Sequence, residues 1–141
     1  MMAANNTWAR PQTSQSGANL GKRKVRRVLI VDDHPIVRQG LRRVMENEED
    51  LTVCGEAETA RDARTAIKEL IPDVVIADIS LKQGDGIELV RDVRAHYPQL
   101  PILVLSMHDE TIYAERMLSA GANGYIMKQA ASEQFLVALR G

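Results

Sequence analysis

Four apolar runs in this sequence each lead into a polar residue. Val74-Val75-Ile76-Ala77 runs into Asp78, Val28-Leu29-Ile30-Val31 into Asp32-Asp33, Ile102-Leu103-Val104-Leu105 into Ser106, and Tyr125-Ile126-Met127 into Lys128. An ionised Asp has little reason to end a buried strand unless it caps, pairs or reacts. Three carboxylates brought together repel one another and want a compensating cation. Hard oxygen ligands that leave room for waters suit Mg²⁺, which takes carboxylates together with phosphate oxygens. A lysine supplies a point charge suited to a phosphate, and a serine supplies a hydroxyl donor. Gathered in one place, this set would support metal-assisted phosphoryl chemistry. Taken singly, each residue has a plainer reading. Asp32 or Asp33 could cap a helix at Pro35, Asp78 could be a helix N-cap, Ser106 could merely end a strand, and Lys128 could be a solvated surface lysine. Their joint placement, one set per strand end, carries the chemical reading.

The elements between them must bring these ends together. After Asp32-Asp33, Pro35 suits the first turn of a helix, and Ile36, Val37, Leu41, Val44 and Met45 recur at helical spacing. Leu51 to Ala57 reads as a second strand. Thr59 with Asp62 resembles an N-terminal cap for a helix with the stripe Ala63, Ala66, Ile67 and Leu70, ended by Pro72. Lys82 to Gly86 supplies turn chemistry before a third stripe of Ile87, Val90, Val93 and Tyr97. A helix from Thr111 to about Ser119, a turn at Gly121 to Gly124, and a last helix capped by Ser132 with Phe135, Leu136 and Leu139 complete the chain. Five strands alternating with five helices, the strands being continuous apolar runs, predict a parallel sheet covered on both faces. The expected fold is α/β, a flavodoxin-like doubly wound five-stranded sheet of order 2-1-3-4-5. In such a sheet ligands lie beyond the carboxyl ends of the strands, where all of the polar residues named above would meet.

The 141 residues, 45% apolar and 26% charged with a net charge of −1, describe an ordinary globular domain with no general attraction to nucleic acid or membrane. Residues 1–24 read as a flexible polar tail with a basic end, too poor in apolar groups to offset their ordering entropy, and 25–141 as one domain. Lys22-Arg23-Lys24 and Arg26-Arg27 read as a solvated charge run entering the first strand. The single Cys54 excludes an intramolecular disulfide. No apolar run approaches the roughly 20 residues of a membrane span, and without a signal-peptide core the expected location is cytoplasmic.

Val31-Asp32-Asp33-His34-Pro35, Asp73 to Asp78, Asp85-Gly86, Leu105-Ser106-Met107 and Gly124-Tyr125-Ile126-Met127-Lys128 resemble, in order and spacing, the receiver domain of two-component response regulators. The Asp-Asp-His-Pro run and Ser106-Met107-His108 are most similar to the branch that pairs a receiver with a LuxR-type (NarL/FixJ) helix-turn-helix domain. The resemblance covers about Arg27 to Gly141. It implies that Asp78 is the phosphoacceptor, attacking phosphohistidine on a sensor histidine kinase. It also implies that Asp33 ligates Mg²⁺ directly and Asp32 mainly through water, with Asp78 and the Ser80 backbone carbonyl completing the protein ligands. Lys128 would pair with the phosphoryl oxygens, Ser106 would hydrogen-bond them, and Tyr125 occupies the aromatic switch position. The bland alternative for Tyr125 is a half-buried strand residue with a wet hydroxyl. His34 and Pro35 need no catalytic role. Leu81-Lys82 stands where the family commonly has Met-Pro, which removes no reacting group, and His108 lies where the family tunes dephosphorylation, an exposed loop histidine being its equally good plain reading. Implied partners are the kinase, a homodimer as a candidate assembly, and DNA only through a C-terminal domain absent here. The branch resemblance favours a fragment of a longer transcriptional regulator over a stand-alone receiver.

Three other classes compete. A haloacid-dehalogenase phosphatase also forms an aspartyl phosphate, but its general acid, an Asp two residues after the nucleophile, is here Ser80. A flavodoxin would carry a Ser/Thr/Gly-rich phosphate loop where this chain has Asp-Asp-His-Pro. A pseudo-receiver, binding partners without phosphorylation, is disfavoured by the joint presence of Asp32, Asp33, Asp78, Ser106 and Lys128.

Overall fold

A computed structural model of the chain describes residues 25–78, 86–106, 111–127 and 132–140. Among the described residues strands and helices alternate: β1 Arg26–Val31, α1 Pro35–Glu46, β2 Leu51–Ala57, α2 Ala60–Leu70, β3 Val74–Asp78, α3 Gly86–His96, β4 Ile102–Ser106, α4 Thr111–Ala120, β5 Gly124–Met127 and α5 Ser132–Arg140. The five strands form one parallel sheet in the order β2-β1-β3-β4-β5, the flavodoxin-like doubly wound arrangement expected from the alternation. The expected tail over residues 1–24 lies outside the described residues.

Side chains alternate across a strand, and the two faces of the sheet bury separate cores. Leu29, Val31, Val75, Ala77 and Val104 pack with Ala63 and Ile67 of α2, Leu89 and Val93 of α3, and Met117 of α4. Val28, Ile30, Val74, Ile76, Leu103 and Leu105 pack with Met45 of α1 and with Phe135 and Leu139 of α5. All five residues of β3 are buried, which is why its sequence is apolar without alternation until Asp78.

The helical stripes are corrected at two points. Ile36 is 77% exposed, because α1 turns Met45, with Leu41 and Val44 partly covered, onto the sheet and leaves its first turn at the rim. In α3 the buried side chains are Leu89, Val90 and Val93, so the expected stripe lacked Leu89; Ile87, and Tyr97 one residue past the helix, pack partly buried against the same core. The expected cap of α2 is present, the Asp62 N–H donating to Thr59 Oγ1 at 3.0 Å.

Arg26 and Arg27 belong to β1, and Arg27 is not the solvated charge expected. Its N–H donates to Asp73 Oδ2 at 2.8 Å and its carbonyl accepts from the Asp73 N–H at 2.8 Å. Its guanidinium donates to the last carbonyls of α2, Leu70 O at 2.6 Å and Ile71 O at 2.9 Å, satisfying groups that the helix end leaves open. Ile71 itself ends α2 in the left-handed region, at φ 50° and ψ 65°. A β-branched residue is strained there by roughly 1–2 kcal/mol, and its side chain is 45% exposed, so little burial offsets the cost. Ile71→Gly is therefore expected to raise the urea midpoint, by about 0.5–1 kcal/mol in unfolding free energy. An unchanged or lower midpoint would mean that the exposed side chain packs better than its surface suggests.

Candidate functional site

The strand register determines which polar groups meet. Val31 of β1 pairs with Ala77 of β3, so Asp32 and Asp78 are the next residues along two neighbouring strands. Alternation puts them in step with Ile30 and Ile76, on the face covered by α1 and α5. Both are buried, with 1% and 0% of their surface exposed. Asp33 follows with its side chain 11% exposed, and His34 with 55%.

Backbone and side-chain bonds fix this corner. The Asp32 N–H donates to Ala57 O at 3.0 Å, extending the β1–β2 ladder by one step. Asp32 Oδ1 accepts the N–H of His34 at 2.9 Å, an Asx turn that bends the chain out of the sheet. His34 is the N-cap of α1 but makes no side-chain cap bond, so neither Asp32 nor Asp33 is merely the cap of that helix. The ring of His34 turns back instead. Its Nδ1 lies 2.9 Å from Asp32 Oδ1, 3.0 Å from Asp33 Oδ1 and 3.7 Å from Asp78 Oδ2. Asp33 Oδ1 is buried and accepts no hydrogen bond from the described residues, as expected if the one Nδ1 proton is directed at Asp32.

Arg38, one turn into α1, donates from Nη1 to the Asp32 carbonyl at 2.7 Å. Its Nε donates to Glu56 Oε1 at 2.8 Å, while Arg42 Nε donates to Oε2 at 2.7 Å. Glu56 on β2 thus grips two arginines a helical turn apart and aims one of them at the acidic loop. Burial pushes the Glu56 carboxyl up, but the hydrogen bonds from Arg42 and Arg38 outweigh it and hold the group below its ordinary value. A lowered folded-state value means stability that is fully present above the unfolded-state value of about 4.3 and is lost as pH falls through the lower folded value. Glu56→Gln is therefore expected to be less stable than the parent by about 1 kcal/mol or less near neutral pH. That gap should close on acidification below roughly pH 4. A gap in urea midpoint independent of pH would assign the effect to shape rather than charge.

One ligand atom from each of Asp32, Asp33, His34 and Asp78 lies within 4.8 Å of the others. Asp33 Oδ1, buried with no hydrogen bond from the described residues and set among three acidic side chains, fits a small divalent cation. Asp32, Asp33 and Asp78 are brought together as the sequence reading expected. Ser106 ends β4 in register with Met127; its side chain, Ser80 and Lys128 lie outside the described residues, as do Leu81, Lys82 and His108. Tyr125 is on β5 beside Val104, partly buried against the core shared with α2, α3 and α4. Sequence reasoning gave His34 no role and passed over Arg38. Pro35 sufficed to explain the helix start, and only the fold reveals that Arg38 reaches the Asp32 carbonyl.

Comparison with known proteins agrees with this geometry. The family model for the response regulator receiver domain matches residues 28–140. The transcriptional regulatory protein DegU of Brevibacillus brevis is 32% identical over 113 residues, covering 80% of this chain and 48% of that protein. The chain spans about half the length of the relatives it matches. Among solved structures, a LuxR-family two-component response regulator from Aurantimonas sp. SI85-9A1 superposes with a TM-score of 0.78 at 35% identity, covering 83% of this chain and 84% of that one. RcsB from Salmonella enterica serovar Typhimurium, bound to promoter rprA in the presence of phosphomimetic BeF3−, gives 0.75 at 34% identity, covering 82% of this chain and 66% of that one. The chain belongs to the response regulator receiver domain family. Its relatives place it in the LuxR/NarL type of two-component regulator.

Proposed function

We propose that this receiver accepts a phosphoryl group on Asp78 from the phosphohistidine of a sensor histidine kinase, with Mg²⁺ as cofactor. The observation that carries the reading is the convergence of Asp32, Asp33 and the fully buried Asp78 at the carboxyl ends of two adjacent strands. A carboxylate oxygen of Asp78 attacks phosphorus, the phosphorus–nitrogen bond breaks, and the departing imidazole takes up a proton. Mg²⁺, when bound, neutralises charge on the phosphoryl oxygens during transfer. Asp32, Asp33, Asp78 and the Ser80 carbonyl are the residues that would hold it. Burial keeps competing water away from Asp78. Lys128 and Ser106 are assigned to the phosphoryl oxygens, as charge and as hydroxyl donor.

The chain turns over no external substrate; it catalyses its own phosphorylation and dephosphorylation. Output follows as a shift of population toward a conformer with a changed surface on α4 and β5, Tyr125 repacking as it forms. In the full-length protein, acting in the cytoplasm, this change alters a partner or homodimer surface and controls transcription through a DNA-binding domain. The promoter-bound structure of RcsB supports that output. Among the described residues no helix is long and apolar enough to cross a membrane. Incubation with acetyl phosphate and Mg²⁺ tests the reading by intact mass: one phosphoryl group is added, and none when chelator precedes the donor. A folded protein that binds no Mg²⁺ and takes up no phosphoryl group from donor or kinase would make it a pseudo-receiver.

A further inference from the structure

We propose that His34 is itself a ligand of the bound cation, adding one imidazole to the carboxylate site and giving a preference for Mn²⁺ over Mg²⁺ greater than the carboxylates alone would give. The inference rests on the divalent-cation reading above. Around an ion with bonds of about 2.1 Å, neighbouring octahedral ligands stand about 3.0 Å apart. His34 Nδ1 stands 2.9 Å from Asp32 Oδ1 and 3.0 Å from Asp33 Oδ1, with Asp78 Oδ2 at 3.7 Å. These are spacings that one ion can bridge with small adjustments.

An ordinary hydrogen bond from the ring to Asp32 explains the first contact and leaves the other two unexplained. Packing does not force the ring there, since its side chain is 55% exposed and could extend into solvent. The backbone beneath it is held at both ends: the His34 N–H donates to Asp32 Oδ1 at 2.9 Å, and its carbonyl accepts from the Arg38 N–H at 3.1 Å. Pro35 at the start of the helix restricts the residue before it further. The ring therefore leaves the chain at a fixed point beside the three carboxylates. As a ligand, Nδ1 offers its lone pair and the ring proton resides on Nε2. Imidazole nitrogen adds little for Mg²⁺, which prefers oxygen, and more for first-row transition ions.

Pulsed electron paramagnetic resonance of the Mn²⁺-loaded protein reads the ligand directly, and calorimetric titration with Mn²⁺ and Mg²⁺ reads the preference. The wild type is expected to show a directly coordinated ¹⁴N coupling that is absent in His34→Gln and in His34→Phe. The ratio of Mn²⁺ to Mg²⁺ affinity should fall in both variants by roughly fivefold to tenfold. Bound Mn²⁺ without a ¹⁴N coupling, or an affinity ratio unchanged by both substitutions, overturns the ligand assignment and leaves the cation site standing. A wild type that binds neither ion overturns both.

Discussion

Asp78→Asn is expected to reduce phosphoryl uptake to below about one-hundredth of the wild type and, in protein kept free of divalent ions, to make the fold more stable. The first effect follows from the nucleophile. An amide oxygen cannot form the acyl phosphate, and no other carboxylate among the described residues ends a strand beside Asp32. The second follows from charge. Asp78 is fully buried at the end of β3, with the buried Asp32 on the next strand and Asp33 beside it. Like charges this close cost several kcal/mol in a poorly solvated site before the approach of His34 and nearby dipoles is discounted. A net gain of about 1–2 kcal/mol for the neutral isostere, and a melting temperature several degrees higher, is the expected outcome. Added Mg²⁺ should stabilise the wild type and stabilise Asp78→Asn less, so the two curves converge. Melts in chelator and in Mg²⁺ check this. A variant that melts below the wild type in chelator would show that attraction, not repulsion, dominates at Asp78.

Arg94→Ala is expected to cost roughly 3 kcal/mol, for reasons remote from the chemistry. The guanidinium, on the last turns of α3, reaches across 27 residues to the α4–β5 turn. Nε and Nη2 donate to Gly121 O at 3.0 and 2.7 Å, and Nη2 to Asn123 Oδ1 at 2.6 Å. Nη1 donates to Tyr97 O at 3.2 Å and Pro98 O at 2.8 Å. Asn123 Oδ1 in turn accepts the N–H of Ile102 at 2.8 Å, so one arginine ties together α3, the start of β4 and the entry to β5. The receiving turn is built for it. Gly121 has φ 127°, and a Cβ there would lie 2.8 Å from Arg94 Cγ, so only glycine allows this approach. Truncation leaves several half-buried carbonyls without their donor, whereas Arg94→Lys keeps the charge without the fork and should recover less than half of the loss. The melting temperature should fall by on the order of 10 °C, and amide exchange should accelerate over Ala122–Tyr125. A loss under about 0.5 kcal/mol would mean that water replaces the arginine without cost.

Much of the fold could be read from the chain because its signals are local. β3 is apolar at every position until Asp78, and a sequence that buries both faces of a strand and then ends it on a carboxylate leaves few explanations. Thr59 announces the start of α2 by chemistry that spans three residues. The alternation of such segments was enough for strand order, and strand order was enough to bring Asp32 and Asp78 together. Ile36 was misplaced because periodicity cannot distinguish the covered turns of a helix from the one at its rim. Arg27 looked like part of a solvated basic run because its acceptors, Leu70 O and Ile71 O, lie more than forty residues away. Arg94, Arg38 and the ring of His34 were missed for the same reason. Each acts on groups that only the tertiary fold brings within reach, and no spacing in the sequence encodes that reach.

The central claim is that Asp78 carries the phosphoryl group, and locating the group tests it most directly. An acyl phosphate is reduced by borohydride to an alcohol, which converts a phosphorylated aspartate to homoserine at its position in the chain. After phosphorylation with Mg²⁺ and acetyl phosphate, reduction and peptide mass mapping should find homoserine at position 78 in the wild type and at no position in protein treated with chelator beforehand. Homoserine at Asp32 or Asp33, or full phosphorylation of Asp78→Asn, would contradict the account.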